Sequence, residues 1–180
     1  MKHTKNMVFA AMFLAIGLLI PFVTVQNPAL GSMLLLMHIP VLLCGYFCGW
    51  PFGLAVGAVT PLLRSVLFGM PPMFPVAVSM AFELAVYGLL SGLFYKLFPK
   101  KPGYVYLSLL LSMIGGRIVW GIVTYALYGL QGTAFTWDLF IQGAVITALP
   151  GIALQIVVIP LLVFALNRTE IFHKGHNASA

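Results

Sequence analysis

The chain has 180 residues, of which 62% are hydrophobic and 7% are charged. Its mean hydropathy of +1.08 excludes a soluble globular domain and predicts an all-α membrane protein embedded in the lipid bilayer. The formal net charge of +6 does not indicate a nucleic-acid partner, because most of the nine basic residues lie at the chain ends or in one short loop.

Apolar segments long enough to cross a bilayer follow one another along the whole chain. A transmembrane helix needs about 20 apolar residues, or fewer where it is short or re-entrant. Turns at glycine, proline and charged residues delimit six predicted spans, 7–25, 34–49, 52–69, 73–97, 104–128 and 139–166. The sequence therefore predicts one six-helix transmembrane domain over residues 1–172 and a short cytoplasmic tail over residues 173–180.

The basic residues outside the spans predict the orientation of the chain, because Lys and Arg concentrate on the cytoplasmic side of membrane proteins. With six spans, three basic groups fall on the same side: Lys2 and Lys5 before the first span, Lys96, Lys100 and Lys101 at and after the end of the fourth, and Arg168 and Lys174 after the sixth. The loops on the opposite side contain Asp138 but no Lys or Arg. Both termini are therefore predicted to be cytoplasmic.

Small residues recur four positions apart in five of the spans, a spacing that places them on one face of a helix. The pairs are Ala11 and Ala15, Gly45 and Gly49, Gly53 and Gly57, Gly88 and Gly92, and Ala144 and Ala148. Such faces let helices approach closely in lipid, where no hydrophobic effect drives them together. Most of the pairs are expected to pack within the chain, whereas the Ala11–Ala15 face is equally compatible with the helix of a partner protein.

Two cysteines, Cys44 and Cys48, lie four residues apart in the second span. A zinc or redox site needs further ligands nearby, and the sequence offers none. We therefore expect two small buried hydrophobic side chains and no metal site.

Four titratable side chains lie within or against the apolar spans, namely His38, Arg64, Glu83 and Arg117. A charged residue at the centre of a bilayer costs about 2.5–3.5 kcal/mol on insertion scales, so such residues indicate a functional site. The helical spacing adds four side chains to this candidate site: Ser79 on the face of Glu83, Trp120 and Thr124 on the face of Arg117, and Gln142 in the sixth span.

Depth along the helices predicts how these charges pair. With a rise of about 1.5 Å per residue, Glu83 and Arg117 lie about 15 and 16 Å below the outer ends of two consecutive, antiparallel spans. We expect them to form a buried ion pair, which leaves Arg64, about 7 Å deep, as a free cation in an outward-facing pocket. In the alternative assignment, Glu83 pairs with Arg64 and Arg117 is the free cation.

Each of these residues also has a purely structural interpretation. Arg64 is close enough to the membrane boundary to reach lipid headgroups, and the Glu83–Arg117 pair is also compatible with a simple clamp between two helices. His38 is expected to cap the second span in the interface. Trp120 lies too deep for an interfacial aromatic residue and is expected to line a cavity.

Polar faces that converge at one depth, an unpaired cation and aromatic walls predict a substrate-binding membrane protein. A guanidinium group in a dry pocket suits a carboxylate or a phosphate. A membrane-embedded enzyme fits less well, since the sequence has no HExxH motif, no spaced Ser–His pair and only one carboxylate within the spans. An ion channel would need a pore-lining acidic or carbonyl ring, and none is visible.

Two sequence features resemble those of one transporter family. The stretch 11–15 (AMFLA) matches an AxxxA motif in a first helix, and the stretches 38–45 (HIPVLLCG) and 53–57 (GLAVG) are similar to the second and third helices of vitamin-binding members. Together with the length and the six-span topology, they make the chain resemble the substrate-binding (S) component of an energy-coupling factor (ECF) transporter over nearly its whole length.

The resemblance implies a function for each part of the chain. An S component binds a vitamin or vitamin precursor from outside, near the outer ends of helices four to six and under the loop that joins helices one and two, without a cofactor. It docks through the face of Ala11 and Ala15 onto a transmembrane T component, and two cytoplasmic ATPases drive release. The chain itself is then not an enzyme, in line with its lack of a GxxxxGK[ST] loop, and it is expected in the plasma membrane of a prokaryote.

The candidate substrate-binding residues are His38, Arg64, Ser79, Glu83, Arg117, Trp120, Thr124 and Gln142. A spare arginine favours a carboxylate-bearing vitamin, and pantothenate is the first expectation, with riboflavin, a pyridoxine-like ring and a folate as further options. The alternatives to an ECF component are a stand-alone small-solute transporter and, less favoured, a membrane-embedded enzyme.

Overall fold

The computed structural model describes residues 2–24, 33–99 and 101–167. All regular structure in these ranges is helical, which confirms the predicted all-α membrane fold. The loop between the first two spans (residues 25–32) and the tail predicted over residues 173–180 lie outside the described residues, as do Lys100, Arg168 and Lys174 of the predicted cytoplasmic side.

Within these ranges, seven α-helices and three short helical turns have described bounds. They are α1 (Lys2–Leu19) with a 3-10 turn over Ile20–Thr24, α2 (His38–Cys48), α3 (Trp50–Phe68), a π-helical turn over Met73–Ala77 leading into α4 (Val78–Leu97), α5 (Pro102–Leu130), α6 (Trp137–Ile141) with a π-helical turn over Gln142–Ile146, and α7 (Leu149–Asn167).

Five helical segments are long and apolar enough to cross a membrane, and α2 is a shorter apolar helix of 11 residues. The five are His3–Phe22, Trp50–Phe68, Met73–Leu97, Pro102–Leu130 and Trp137–Asn167. The second predicted span is therefore realised as a short helix. It ends at a sharp turn where Gly49 has a φ of 93°, a conformation that glycine adopts without strain, and α3 starts at the next residue.

Helix α2 lies at the centre of the molecule, and glycines bring α3 and α4 together beside it. Nearly every side chain of α2 is buried, including the free thiols of Cys44 and Cys48, as predicted. A methyl group on Gly53 or on Gly88 would overlap the backbone of the other residue. The glycine faces of the sequence are therefore close-packed helix crossings within this chain.

Helix α1 lies against α2 and α3 with one face only. Gly17 approaches the side chains of Thr60 and Pro40, and the Asn6 amide donates to the Cys48 carbonyl at 3.2 Å. The opposite face of α1 is exposed over most of its length, and Ala11 and Ala15 lie on it.

Candidate functional site

Glu83 and Arg117 form an ion pair between α4 and α5, with Nη1 of Arg117 3.0 Å from Oε1 of Glu83. Glu83 is 1% exposed. The two helices are antiparallel neighbours, so residues at equal depth face each other, and the pairing predicted from depth is confirmed. The alternative pair of Glu83 with Arg64 is wrong, because the ion pairs among the described residues join Glu83 to Arg117 and His38.

His38 belongs to this ion pair rather than to the membrane interface, which corrects the expectation of a helix cap. Its side chain makes no capping hydrogen bond at the start of α2, and it is 1% exposed. Its Nε2 atom lies 3.5 Å from Oε1 of Glu83. The error arises because α4 packs against the start of α2, where Glu83 and Tyr87 both contact the His38 side chain.

Tyr87 forms the floor of the same cluster one helical turn beyond Glu83. Its ring meets the ring of His38 edge-on at a centroid distance of 5.2 Å, and its hydroxyl interacts with both Glu83 and Arg117. Gly116 makes room for the ring on α5, because a Cβ there would lie 2.9 Å from Cε2 of Tyr87.

Seven buried side-chain atoms of the described chain have no hydrogen-bond partner. They are Nδ1 and Nε2 of His38, Oε1 of Glu83, Nε and Nη2 of Arg117, Oγ1 of Thr124 and Oε1 of Gln155. The ion-pair contacts of Glu83 are close in distance but not aligned as hydrogen bonds. Buried polar atoms are bonded in the large majority of cases, and each unbonded one costs about 1–3 kcal/mol. The cluster is thus equipped to bind a polar molecule.

Gln155 is a member of the cluster that the sequence analysis did not identify. It is fully buried on α7, and its Nε2 donates to the Leu35 carbonyl at 3.4 Å. The same carbonyl accepts the backbone N–H of His38 at 3.0 Å. The Gln155 amide and the His38 backbone therefore share one acceptor, the Leu35 carbonyl oxygen. The signal in the sequence is a lone amide in the middle of an otherwise apolar helix.

Arg64 lies away from this cluster, although the sequence analysis placed it in the pocket. Its Nη1 donates to the Leu18 carbonyl at 2.7 Å, and its guanidinium lies 5.2 and 5.6 Å from the ring centroids of Phe22 and Phe68. With 3% exposure, it does not extend to lipid headgroups either. Arg64 is a buried cation at the carboxyl end of α1, where the helix dipole and two aromatic faces stabilise its charge.

The other candidate residues divide between the cluster and the rest of the bundle. Thr124 is buried two helical turns from Arg117, with its hydroxyl unpartnered. Ser79 is buried, but its hydroxyl donates to the Val76 carbonyl at 2.9 Å. Trp120 stacks on Phe140 at 6.1 Å, so it packs α5 against the last part of the chain.

Gln142 is exposed at the start of a π-helical turn, and no described side-chain contact joins it to the ion pair. The carboxamide of the sixth predicted span that reaches the cluster is Gln155 rather than Gln142.

One family model matches the chain. It is described as ECF transporter, substrate-specific component, and it covers residues 5–163. Comparisons with curated proteins and with solved structures gave no match. The matched range begins within α1, ends within α7 and includes every residue of the polar cluster.

Proposed function

Because the chain belongs to the substrate-specific components of ECF transporters, we propose that it captures a small water-soluble vitamin or vitamin precursor for an ATP-driven importer. The buried polar cluster carries the proposal, with its seven unpartnered atoms on α2, α4, α5 and α7. Ligand sites characteristically combine apolar walls with a few converging polar groups.

The donors and acceptors of the cluster favour a singly charged anion with further polar groups. One edge of the Arg117 guanidinium, Nε and Nη2, is unpartnered and suits a bidentate carboxylate. Glu83 balances the charge of Arg117, so a ligand with several negative charges is disfavoured. His38, Thr124 and Gln155 are available to hydroxyl and amide groups. Pantothenate has a carboxylate, two hydroxyls and an amide, and it is the ligand that we propose first.

The most direct experiment is to identify what the protein retains. Native mass spectrometry after purification in mild detergent is expected to show one vitamin-sized molecule per chain. Calorimetric titration of ligand-free protein with pantothenate, riboflavin, pyridoxine and folate then ranks the candidates. Single-channel currents, or solute uptake into liposomes by this chain alone, would contradict the proposal in favour of a channel or a stand-alone transporter.

We further propose that the exposed face of Ala11 and Ala15 docks onto a T component, and that two ATPase subunits supply the energy in a prokaryotic plasma membrane. The exposure of this face supports docking, because nothing in the described chain covers it. Ala15→Trp is expected to abolish vitamin uptake in cells that contain the partner subunits, with ligand affinity unchanged. Leu110→Trp, on an exposed face of α5, is the matched control and should retain uptake. Normal uptake by the Ala15 variant would reject the docking face.

A further inference from the structure

Gln155 presents a hydrogen-bond acceptor whose direction is fixed. Its carboxamide contacts the Leu35 carbonyl, and a carbonyl oxygen only accepts, so the amide nitrogen must face it. The amide oxygen therefore points the other way, where it is buried and unpartnered. An acceptor held in this manner binds O–H or N–H groups and disfavours groups that only accept.

The surroundings of Gln155 keep this acceptor in place. One turn earlier on α7, a Cβ on Gly151 would lie 2.7 Å from the Met33 carbonyl oxygen and 2.8 Å from the Leu34 carbonyl carbon. The segment before α2 therefore touches the backbone of α7 directly. Because Leu35 is also bonded to the backbone of His38, the amide is locked to the segment that leads into the cluster. A preorganised group of this kind contributes to binding without an ordering cost.

Arg117, on α5, presents the opposite chemistry. Its two unpartnered nitrogens are donors only, whereas Oε1 of Gln155 is an acceptor only. Thr124 adapts to either kind of group, because a hydroxyl both donates and accepts. The site therefore distinguishes the two ends of a ligand by the direction of their hydrogen bonds.

We propose that Gln155 is a specificity-determining residue that selects, among carboxylate-bearing vitamins and precursors, those with an O–H or N–H donor on the part of the molecule away from the carboxylate. The inference rests on the proposed function, since it assumes that the cluster is the substrate site. It deepens that function by assigning the neutral end of the ligand to α7 and the carboxylate to α5.

The test combines changes in the protein with changes in the ligand. The ligand probes are pantothenate and three analogues that each lack one donor, namely the two deoxy compounds and the ester that replaces the amide. Wild-type protein is expected to bind at least one analogue about tenfold more weakly than pantothenate, because a buried acceptor is then left unsatisfied. In Gln155→Met, which removes the acceptor at similar volume, this preference should shrink to within about twofold.

Two further variants separate recognition from folding. Gln155→Glu loses the amide donor to Leu35, but a carboxyl group still offers an acceptor oxygen, so the preference for pantothenate should persist even where overall affinity falls. Gln142→Met is the matched control, because Gln142 is an exposed glutamine of the same chain segment, and it should behave as wild type.

The outcomes distinguish the two proposals. If wild-type protein binds no pantothenate, the proposed ligand is wrong and the inference built on it falls as well. If wild-type protein binds pantothenate and Gln155→Met keeps the full preference over every analogue, the proposed function stands and the role of Gln155 is rejected.

Discussion

Two polar clusters join the same four helices at different depths. The outer cluster takes His38 from α2, Glu83 from α4, Arg117 and Thr124 from α5, and Gln155 from α7. The inner cluster takes Tyr46 from α2, Tyr95 from α4, Ser108 and Ser112 from α5, and Asn167 from α7. At a rise of about 1.5 Å per residue, the two levels are about 12 Å apart on α2 and about 18 Å apart on α4 and α7, and on α5 Ser108 and Ser112 lie about 14 and 8 Å from Arg117. The two clusters differ in how many of their hydrogen bonds are made within the chain.

The hydroxyls of the inner cluster all have partners. Tyr46 and Ser108 share a hydrogen bond of 2.8 Å, Ser112 donates to the Ser108 carbonyl at 2.6 Å, and the Asn167 amide donates to the Tyr95 hydroxyl at 2.8 Å. The outer cluster instead contains all seven of the unpartnered buried atoms in the described chain. Buried polar groups in a membrane protein can therefore be divided by whether their hydrogen bonds are made within the chain. Groups that are hydrogen-bonded to one another hold helices together, and groups without partners are the candidates for ligand binding.

Removal of the Glu83–Arg117 charge pair from the outer cluster should have the largest effect on both stability and binding. Arg117→Gln leaves the buried Glu83 carboxylate with His38 as its remaining ion-pair contact. Removal of one partner of a buried pair costs about 3–5 kcal/mol, and the substitution also removes the proposed carboxylate contact. We expect a large drop in thermal stability and loss of vitamin binding, measured by thermal unfolding and calorimetry.

The double variant Glu83→Gln with Arg117→Gln separates these two effects. It removes both charges of the Glu83–Arg117 pair. It should therefore regain most of the thermal stability, because replacement of a whole buried pair is often close to neutral. Vitamin binding should stay lost. A double variant that binds as tightly as wild type would show that the pair is only a clamp between α4 and α5.

One tyrosine in each cluster allows the same substitution to be compared at the two levels, with smaller expected effects on stability and affinity. Tyr46→Phe removes a hydroxyl that contacts Ser108 in the inner cluster, and the expected cost is about 1–2 kcal/mol of stability with unchanged vitamin affinity. Tyr87→Phe removes the hydroxyl that interacts with Glu83 and Arg117 in the outer cluster, and we expect affinity to fall about three- to tenfold. Equal effects of the two substitutions on affinity would contradict the division into a structural and a binding cluster.

The sequence predicted a contact correctly where that contact depends on one helix or on two helices that are consecutive in the chain. The Glu83–Arg117 pair followed from residue counting because consecutive antiparallel helices share a depth scale. That Gly53 and Gly88 lie on close-packing helix faces followed from spacing alone, because such a face depends only on the helix to which it belongs.

The sequence did not predict the contacts of a side chain where they depend on which helix packs against the face of the helix that carries it. Helix α3 packs between α1 and α4, so a single face contacts α4 through Gly57 and α1 through Thr60 and Arg64. Counting residues gave the depth of Arg64 but not its neighbour. The burial of His38 likewise involves contacts with Glu83 and Tyr87 of α4, which the position of His38 in its own helix does not predict.

Arg64 provides the smallest expected effect on binding and the sharpest contrast with Arg117. Both are buried arginines, but Arg64 is bonded to the Leu18 carbonyl and enclosed by Phe22 and Phe68. Arg64→Gln should therefore change vitamin affinity by less than about twofold, whereas an arginine in contact with a ligand carboxylate would show at least a tenfold loss. Calorimetry on this variant beside Arg117→Gln measures the contrast directly.

The same substitution should act instead on the end of α1. A glutamine keeps one amide donor but loses the charge that interacts with the helix dipole and the aromatic rings, so we expect stability to fall by about 1–2 kcal/mol. Hydrogen exchange should become faster at the last turn of α1, near Leu18, and remain unchanged at Gln155. Arg64→Lys keeps the charge and should lie between wild type and Arg64→Gln. A tenfold loss of vitamin affinity in Arg64→Lys, without faster exchange in α1, would instead place Arg64 in the substrate site. A residue that only holds the end of α1 would change exchange in α1, whereas a residue that contacts the ligand would not.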